Sequence, residues 1–332
     1  MNSNTILIGL ASVIISAGPI VFASIGETFT ERAGIINLSL NGTIILTAMS
    51  AFAVAYATGS LLLGFLIGML IGGLMALIIA FSSITLKQSQ VAIGFILTLM
   101  NASLAYFLGN SFVGLNGPQI RPLDLPLLSQ IPVIGELFFR ADVLTYLSYI
   151  FIIFAWIWIY KTKSGLILQG LGERPAATFE RGVNVHKLRY LYTIFGGLFV
   201  GLAGAVYSLS VKPGWMGTIS GLDGFGWVAL AITIFGGWNP LRAAFGCYLF
   251  SLLQWLGLVL QPSLPNIPSQ VLQVAPFPIM ILTLLFVNIG DTEWIKRVLA
   301  GLPGPTRRIA SRVIRSLSAK PPTGIGIPFE QE

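Results

Sequence analysis

The chain has 332 residues, 55% hydrophobic and 9% charged, against roughly a quarter charged in an ordinary soluble domain. That balance excludes a soluble enzyme, and a net charge of +7 on so apolar a chain belongs at membrane boundaries rather than in a nucleic-acid groove. The single cysteine, Cys247, and single histidine, His186, exclude an internal disulfide and a His/Cys metal centre.

The first 26 residues are uncharged, so the opening segment lacks the basic flank of a secretory signal and reads as a retained membrane helix. Residues 33–86 contain no Asp, Glu, Lys, Arg or His, a run too long for one crossing of a roughly 30 Å hydrocarbon core. The turn signal Ala57-Thr58-Gly59-Ser60 divides it. Continuing in this way places membrane helices at 6–25, 35–56, 61–86, 91–108, 143–160, 188–211, 222–235, 243–260 and 270–289. The expected fold is all-α: a polytopic bundle of about nine membrane helices, between eight and ten. Residues 1–290 form the membrane domain and 291–332 a basic, flexible, solvated tail.

Six of the 19 cations lie in 161–189 and seven more in 296–320, so the positive-inside rule assigns both segments to the cytoplasm. Counting back from Lys161 puts Glu31, Arg32 and Lys87 inside and the loop 109–140 and the N-terminus outside. Arg307, Arg308, Arg312 and Arg315 crowd the tail, either as orientation charge or as an anchor to anionic lipid.

Gly64, Gly68, Gly72, Ala76 and Ala80 recur every four residues on one helix, and Thr193, Gly197, Gly201 and Ala205 do so on another. Small residues at that spacing let helix backbones touch inside lipid, where the hydrophobic effect supplies no drive. Leu40-Asn41-Gly42 and Leu222-Asp223-Gly224 form a weak echo on helices of opposite direction. Such an echo fits an inverted repeat, although three residues also match by chance.

Glu27 and Asp223 fall at expected helix ends, and the helix interiors carry neutral polar groups such as Asn37, Asn41, Thr98 and Asn101. A gradient-driven carrier or channel keeps ionisable groups at membrane depth, and this sequence offers almost none. There is no G-x-x-x-x-G-K-[ST] phosphate loop. His186 sits in a basic loop without a nucleophile beside it, so catalysis finds no constellation. A solute pump built on this chain takes its energy from another subunit. The segment 161–189 is then the docking surface. Within it Glu173, Arg174, Pro175, Ala176, Ala177, Phe179, Glu180, Arg181 and Gly182 read as a short amphipathic helix with Pro in its first turn and Gly after its last. A plain charged loop that only sets topology fits the composition as well.

The same segment carries a resemblance. Gly172-Glu173-Arg174-Pro175-Ala176-Ala177, Gly182-Val183-Asn184-Val185, Leu188-Arg189-Tyr190 and Gly196-Gly197 to Gly204-Ala205 resemble permease subunits of bacterial ABC importers for nucleosides. That group also includes simple-sugar and branched-chain amino acid permeases. Glu31-Arg32-Ala33-Gly34-Ile35-Ile36-Asn37-Leu38 and the stretch from Gly224-Phe225 to Gly236-Gly237-Trp238-Asn239-Pro240 are similar to two further family patterns.

The resemblance implies a transport subunit rather than an enzyme, in a bacterial inner membrane, with no cofactor of its own. Its ATP and magnesium would be bound by a partner ATPase, its solute delivered by an extracytoplasmic binding protein, and its bundle completed by a second, related but different permease chain. By that likeness residues 173–182 are the coupling helix received by the ATPase, with the turn 236–242 a lesser contact. Asn37, Asn41, Gln90, Thr98 and Asn101 are the candidate lining of the solute path, although such residues also join helices. The family often reads N-x-G-x-E-G where this chain has Asn37-Leu38-Ser39-Leu40-Asn41-Gly42, so a neutral amide replaces an expected acid.

Overall fold

Long apolar runs punctuated by capping residues give a chain of helices. The computed structural model describes residues 3–126, 128–263, 271, 278, 297 and 321–329. Helix α1 spans Ser3–Arg32 and stops at Gly34, whose φ of +93° only glycine adopts readily. After an irregular stretch, α2 runs Leu40–Thr58 and ends on Gly59 in the left-handed conformation. Helix α3 (Leu61–Ala80) starts on a Ser60 cap and continues into a π turn, Phe81–Thr85, and α4 (Gln90–Gly109) starts on a Ser89 cap. The following loop holds a two-stranded ribbon of β1 (Leu123–Asp124) and β2 (Arg140–Ala141) around the single-turn α5 (Ile134–Phe138).

Asp142 caps α6 (Val143–Lys161), with Oδ1 accepting from the Thr145 amide at 2.7 Å, and Thr162 caps α7 (Lys163–Glu173). The six-residue α8 (Pro175–Glu180) opens on its proline. Asn184 caps α9 (Val185–Val206), which runs on into a π turn at Tyr207–Val211. Then follow α10 (Phe225–Phe235) and α11 (Pro240–Leu260).

Seven of these helices, the π turns included, are long and apolar enough to cross a membrane: α1 to α4, α6, α9 and α11. The all-α polytopic bundle is as expected, with three corrections. The first helix continues beyond residue 25 to Arg32, which takes Glu27 off a helix end and buries both Glu27 and Glu31 in the bundle. The expected crossing at 222–235 is the 11-residue α10, about 16 Å long and so about half a hydrocarbon core. The stretch 161–189 is not a loop, because it contains α7 and α8. The helix expected at 270–289 lies outside the described residues, apart from positions 271 and 278.

Helix α9 is the centre of the bundle, packed on α1, α2 and α3. Each neighbour approaches through a different glycine. A Cβ on Gly26 would lie 2.6 Å from the Gly196 carbonyl oxygen, one on Gly68 would lie 2.9 Å from Ala205 Cβ, and one on Gly204 would lie 2.5 Å from the Ile44 carbonyl oxygen. The two small-residue stripes thus pack against each other, with Gly68 and Gly72 facing Gly197 and Gly201. Opposite its glycines, α3 turns Leu62, Leu66, Leu70 and Leu74 outward. That arrangement suits a helix with protein on one side and lipid on the other.

Gly72→Ala places a methyl 2.5 Å from Gly201 Cα and should destabilise the detergent-solubilised protein by about 1–3 kcal/mol as overpacking does. Gly18→Ala, which meets nothing within 4 Å, should leave the melting temperature unchanged or slightly raised. Thermal melts of the two variants against the parent make the comparison.

Candidate functional site

The irregular stretch 33–39 between α1 and α2 gathers the polar residues. A chain that leaves helical geometry inside a bundle exposes peptide groups that only side chains can satisfy. The Ile36 amide donates to Gln90 Oε1 at 2.7 Å, and the Leu38 carbonyl accepts from Thr98 Oγ1 at 2.7 Å. The Asn37 amide donates to Glu27 Oε1 at 3.2 Å. Asn37 Oδ1 accepts from the Ser39 amide and hydroxyl at 3.0 and 2.7 Å, turning the chain into α2. Asn101 Nδ2 donates to Thr43 Oγ1 at 3.3 Å, and Ser39 Oγ lies 3.1 Å from the same atom.

Asn41 joins this elbow to the start of α10. Its Nδ2 donates to Asp223 Oδ1 at 2.9 Å, and its Oδ1 accepts from the Gly224 and Gly226 amides at 2.9 and 3.2 Å. The amide therefore caps a second helix with one end and holds a carboxylate with the other, while a Cβ on Gly226 would collide with Asn41. The central residues of the two echoing tripeptides are in direct contact. Asp223 is exposed although Asn41 is buried, so the cluster reaches the bundle surface there. Beside it the exposed Phe95 ring and the Trp227 ring lie 5.6 Å apart.

All five residues expected to line a path converge on this elbow, and all are buried. Asn37 lies in the break rather than inside a helix. Their hydrogen bonds make them joints in this conformation. A cavity of about 220 Å³ lies at the other end of α9, lined by Tyr207, Lys212, Trp215, Met216 and Ile219 among others, and none of the five lines it.

Two further carboxylates, read from sequence as boundary charges, lie inside the bundle. Glu27 and Glu31 are fully or almost fully buried, one turn apart on α1. Trp238 Nε1 donates to Glu31 Oε2. Arg32 donates through Nε and Nη2 to the Trp238 carbonyl at 3.1 Å each and through Nη2 to the Tyr160 hydroxyl at 2.8 Å. The Glu31-Arg32 pair and the Gly-Gly-Trp-Asn-Pro turn, about 200 residues apart in sequence, are thus two halves of one lock. That lock holds Trp238 at a φ of +55°, uncommon for a non-glycine residue. The scarcity of buried ionisable groups expected from sequence is corrected here, because α1 is longer than its hydropathy indicated.

The second component is the face around α8. Arg174, Ala176, Ala177, Phe179, Glu180, Arg181 and Gly182 are exposed, as is Glu173, and Pro175 is half-buried. Thr178, which bonds back to the Arg174 carbonyl at 3.0 Å, is the one α8 residue turned inward. Arg189 at the start of α9 is buried and donates to the Leu171 carbonyl at 3.1 Å. Residues 321–329 of the expected solvated tail pack onto this face, with Pro322 and Gly324 buried. Among the described residues no group of His, Cys, Asp and Glu side chains is placed to hold a metal ion.

A bundle of long apolar helices around a polar elbow, with a polar helix presented at one end, defines a polytopic helical membrane protein. The chain belongs to the family described as branched-chain amino acid transport system / permease component, whose model matches residues 9–286. It is 36% identical over 270 residues to a putative glucose ABC transporter permease protein of Haloferax volcanii, covering 77% of this chain and 81% of that protein. Over 295 residues it is 35% identical to a nucleoside ABC transporter permease protein of Lactococcus lactis, covering 85% of this chain and 92% of that one. A guanosine ABC transporter permease protein of Bacillus subtilis is 30% identical over 295 residues, covering 84% and 92%. No solved structure matches. The chain is a membrane permease subunit of an ABC importer.

Trp238→Phe leaves the Glu31 carboxylate buried without its donor and should destabilise the protein by about 2–3 kcal/mol. Removing both partners, as Glu31→Leu with Trp238→Phe, should recover at least half of that loss, and a double-mutant thermal cycle measures it. Asn41→Asp sets a second carboxylate against Asp223 and should lower transport roughly tenfold or more. The swap Asn41→Asp with Asp223→Asn restores one charge and one amide and should recover transport in a vesicle uptake assay.

Proposed function

We propose that this permease carries nucleosides, released by an extracytoplasmic binding protein, along a path that opens at the elbow 33–43 and the start of α10. The observation that carries the reading is the meeting of hydrogen-bonding groups and aromatic rings at that point. Asp223 is exposed beside Asn41, and Glu27 Oε2 and Asn101 Oδ1 are buried acceptors without a partner among the described residues. The Phe95 and Trp227 rings lie 5.6 Å apart, next in sequence to Gly94 and Gly226, which pack on Leu38 and Asn41. Acceptors suit ribose hydroxyls, and an exposed ring backed by a half-buried one suits a base. Two relatives named for nucleoside or guanosine transport, each covered over 92% of its length, support the same class. A sugar is the second reading, favoured by the relative named for glucose.

Energy comes from an ATPase subunit seated against α8. This chain contributes no ATP site, cofactor or catalytic group, and Glu173, Arg174, Pro175, Ala176, Ala177, Phe179, Glu180, Arg181 and Gly182 carry the coupling. A helix of six residues with no side-chain cap is marginal alone and moves with whatever grips it. ATP-driven closure of the motor then tilts the bundle by acting on α8, since only differential contacts shift such an equilibrium. A second, related permease chain completes the path. A nucleoside ABC transporter permease of Lactococcus lactis other than the one above is 29% identical over 94 residues, which supports paired chains. The basic segment 161–189 faces the cytoplasm, as do residues 291–332, and the N-terminus is outside.

Tagged chain purified gently from its own membrane should bring down an ATPase and a second permease, identified by mass spectrometry. Vesicles of that complex should take up labelled guanosine or uridine, with excess unlabelled nucleoside competing and glucose not competing. Arg174→Glu with Arg181→Glu should cut ATPase retention and uptake at least fivefold while membrane insertion survives. Recovery of this chain alone would count against the motor-driven reading, and competition by glucose alone would move the substrate class to sugars.

A further inference from the structure

The segment 321–329 makes more hydrogen bonds to the base of α8 than any other part of the described chain outside α7 to α9. Thr323 Oγ1 lies 2.6 Å from the Glu173 carbonyl oxygen and 3.1 Å from Glu173 Oε2, and its amide donates to the same carboxylate at 3.4 Å. The Gly324 amide donates to the Gly172 carbonyl at 2.7 Å. Two residues later the Gly326 amide donates to the Gly34 carbonyl at 3.0 Å. Buried Arg189 reaches both sides, giving Nη2 to the Leu171 carbonyl and Nη1 to the Ile327 carbonyl at 3.2 Å. Beyond this the Phe329 ring settles 5.9 Å from Phe179 and 5.7 Å from His186.

The geometry points to a coupling strap: residues 321–329 are a structural part of the face that receives the ATPase, and they tie α8 to the elbow after α1. The inference rests on the reading of α8 as the ATPase contact. Two features carry it. First, Phe329 lies beside Phe179, the large apolar side chain of α8, so a partner gripping Phe179 meets two rings from distant parts of the chain. Second, the strap is bonded at once to Gly172 and Glu173, at the end of α7 just before α8, and to Gly34, within the polar elbow. Movement of α8 is thereby transmitted to the stretch that holds Asn37, through backbone hydrogen bonds that stretch little.

The glycines are those this path requires. Gly326 has a φ of +74° and packs where a Cβ would lie 3.0 Å from Ile36 Cδ1, and a Cβ on Gly324 would lie 2.8 Å from the Gly172 carbonyl oxygen. Arg189 would lose a carbonyl partner if the strap left, and a buried guanidinium with fewer acceptors is costly. The strap is therefore held as a built element rather than resting as a removable cover.

The test uses the assembled importer in proteoliposomes with its binding protein. Deleting 321–329, or replacing Thr323→Val together with Phe329→Ala should the deletion fail to assemble, is expected to lower uptake at least fivefold. The stimulation of ATP hydrolysis by binding protein should fall towards onefold, with the permease pair still associated and its melting temperature within a few degrees. A disulfide made by Glu173→Cys with Thr323→Cys, the only native cysteine being buried, should leave uptake no lower than in the same variant after reduction. Unchanged or increased uptake in the strap variants overturns the proposal, as does loss of uptake in the disulfide form that reductant restores, which would make the segment a lid. Arg174→Glu with Arg181→Glu in the same assay separates the two levels. If that variant releases the ATPase while the strap variants behave like the parent, the strap fails and the docking reading stands, and if it retains the ATPase and full uptake the docking reading fails and the strap with it.

Discussion

A peptide group buried away from water must find its partner inside the protein, and this chain leaves helical geometry within its bundle at residues 33–39. Everything polar near that point is arranged around the consequence. Gln90 and Thr98 meet the backbone of Ile36 and Leu38, Glu27 meets the Asn37 amide, and Asn37 turns the chain into α2. The cost of an unmade hydrogen bond in such surroundings exceeds the net gain of a made one. The elbow is consequently rigid while its partners are in place and free to rearrange only if several move together. That is the behaviour required of a gate with two discrete arrangements.

The rest of the bundle brings its ends to this elbow. Helix α9 permits close approach from three sides because glycine faces each neighbour, and α1 then lies where Glu31 and Arg32 can lock the turn at Trp238. The lock fixes the C-terminal end of α10, while Asn41 caps its N-terminal end. A half-length helix is thus held at both ends by α1, α2 and the elbow between them. The departure at position 41 acquires a physical meaning here. The contact between α2 and the start of α10 keeps one carboxylate, on Asp223, and Asn41 supplies the matching donor, where two acids would repel.

The joints described for the polar cluster and the transport role proposed for it are compatible. An importer whose affinity resides in a separate binding protein needs a path that is weakly polar and transient. Under the proposed reading, side chains that satisfy the elbow's backbone here would be available to a solute in a second arrangement. The α8 face and the elbow are close in the fold through Gly172, Gly34 and the segment 321–329, so force applied at the polar surface has a short route inward.

Hydropathy, charge placement and turn residues determined from sequence alone that the protein is an all-α membrane bundle and which helices carry small-residue packing stripes, while 173–182 stayed open between a short polar helix and a charged loop. These are local or periodic properties, written in stretches of 20 residues or fewer. The five neutral polar residues were also legible as a set, since amides and hydroxyls in apolar helices are rare enough to stand out. Their convergence on one elbow was not, because it depends on where the chain breaks. The break at Gly34 is set by contacts with Arg189 and the segment 321–329 as much as by glycine itself. Glu27 and Glu31 looked like boundary charges because hydropathy alone cannot see that Trp238 and Asn37 wait to bond them. Only the tertiary structure could turn a charge at the expected edge of a helix into a buried joint, since burial belongs to the neighbours a residue acquires and not to the residue.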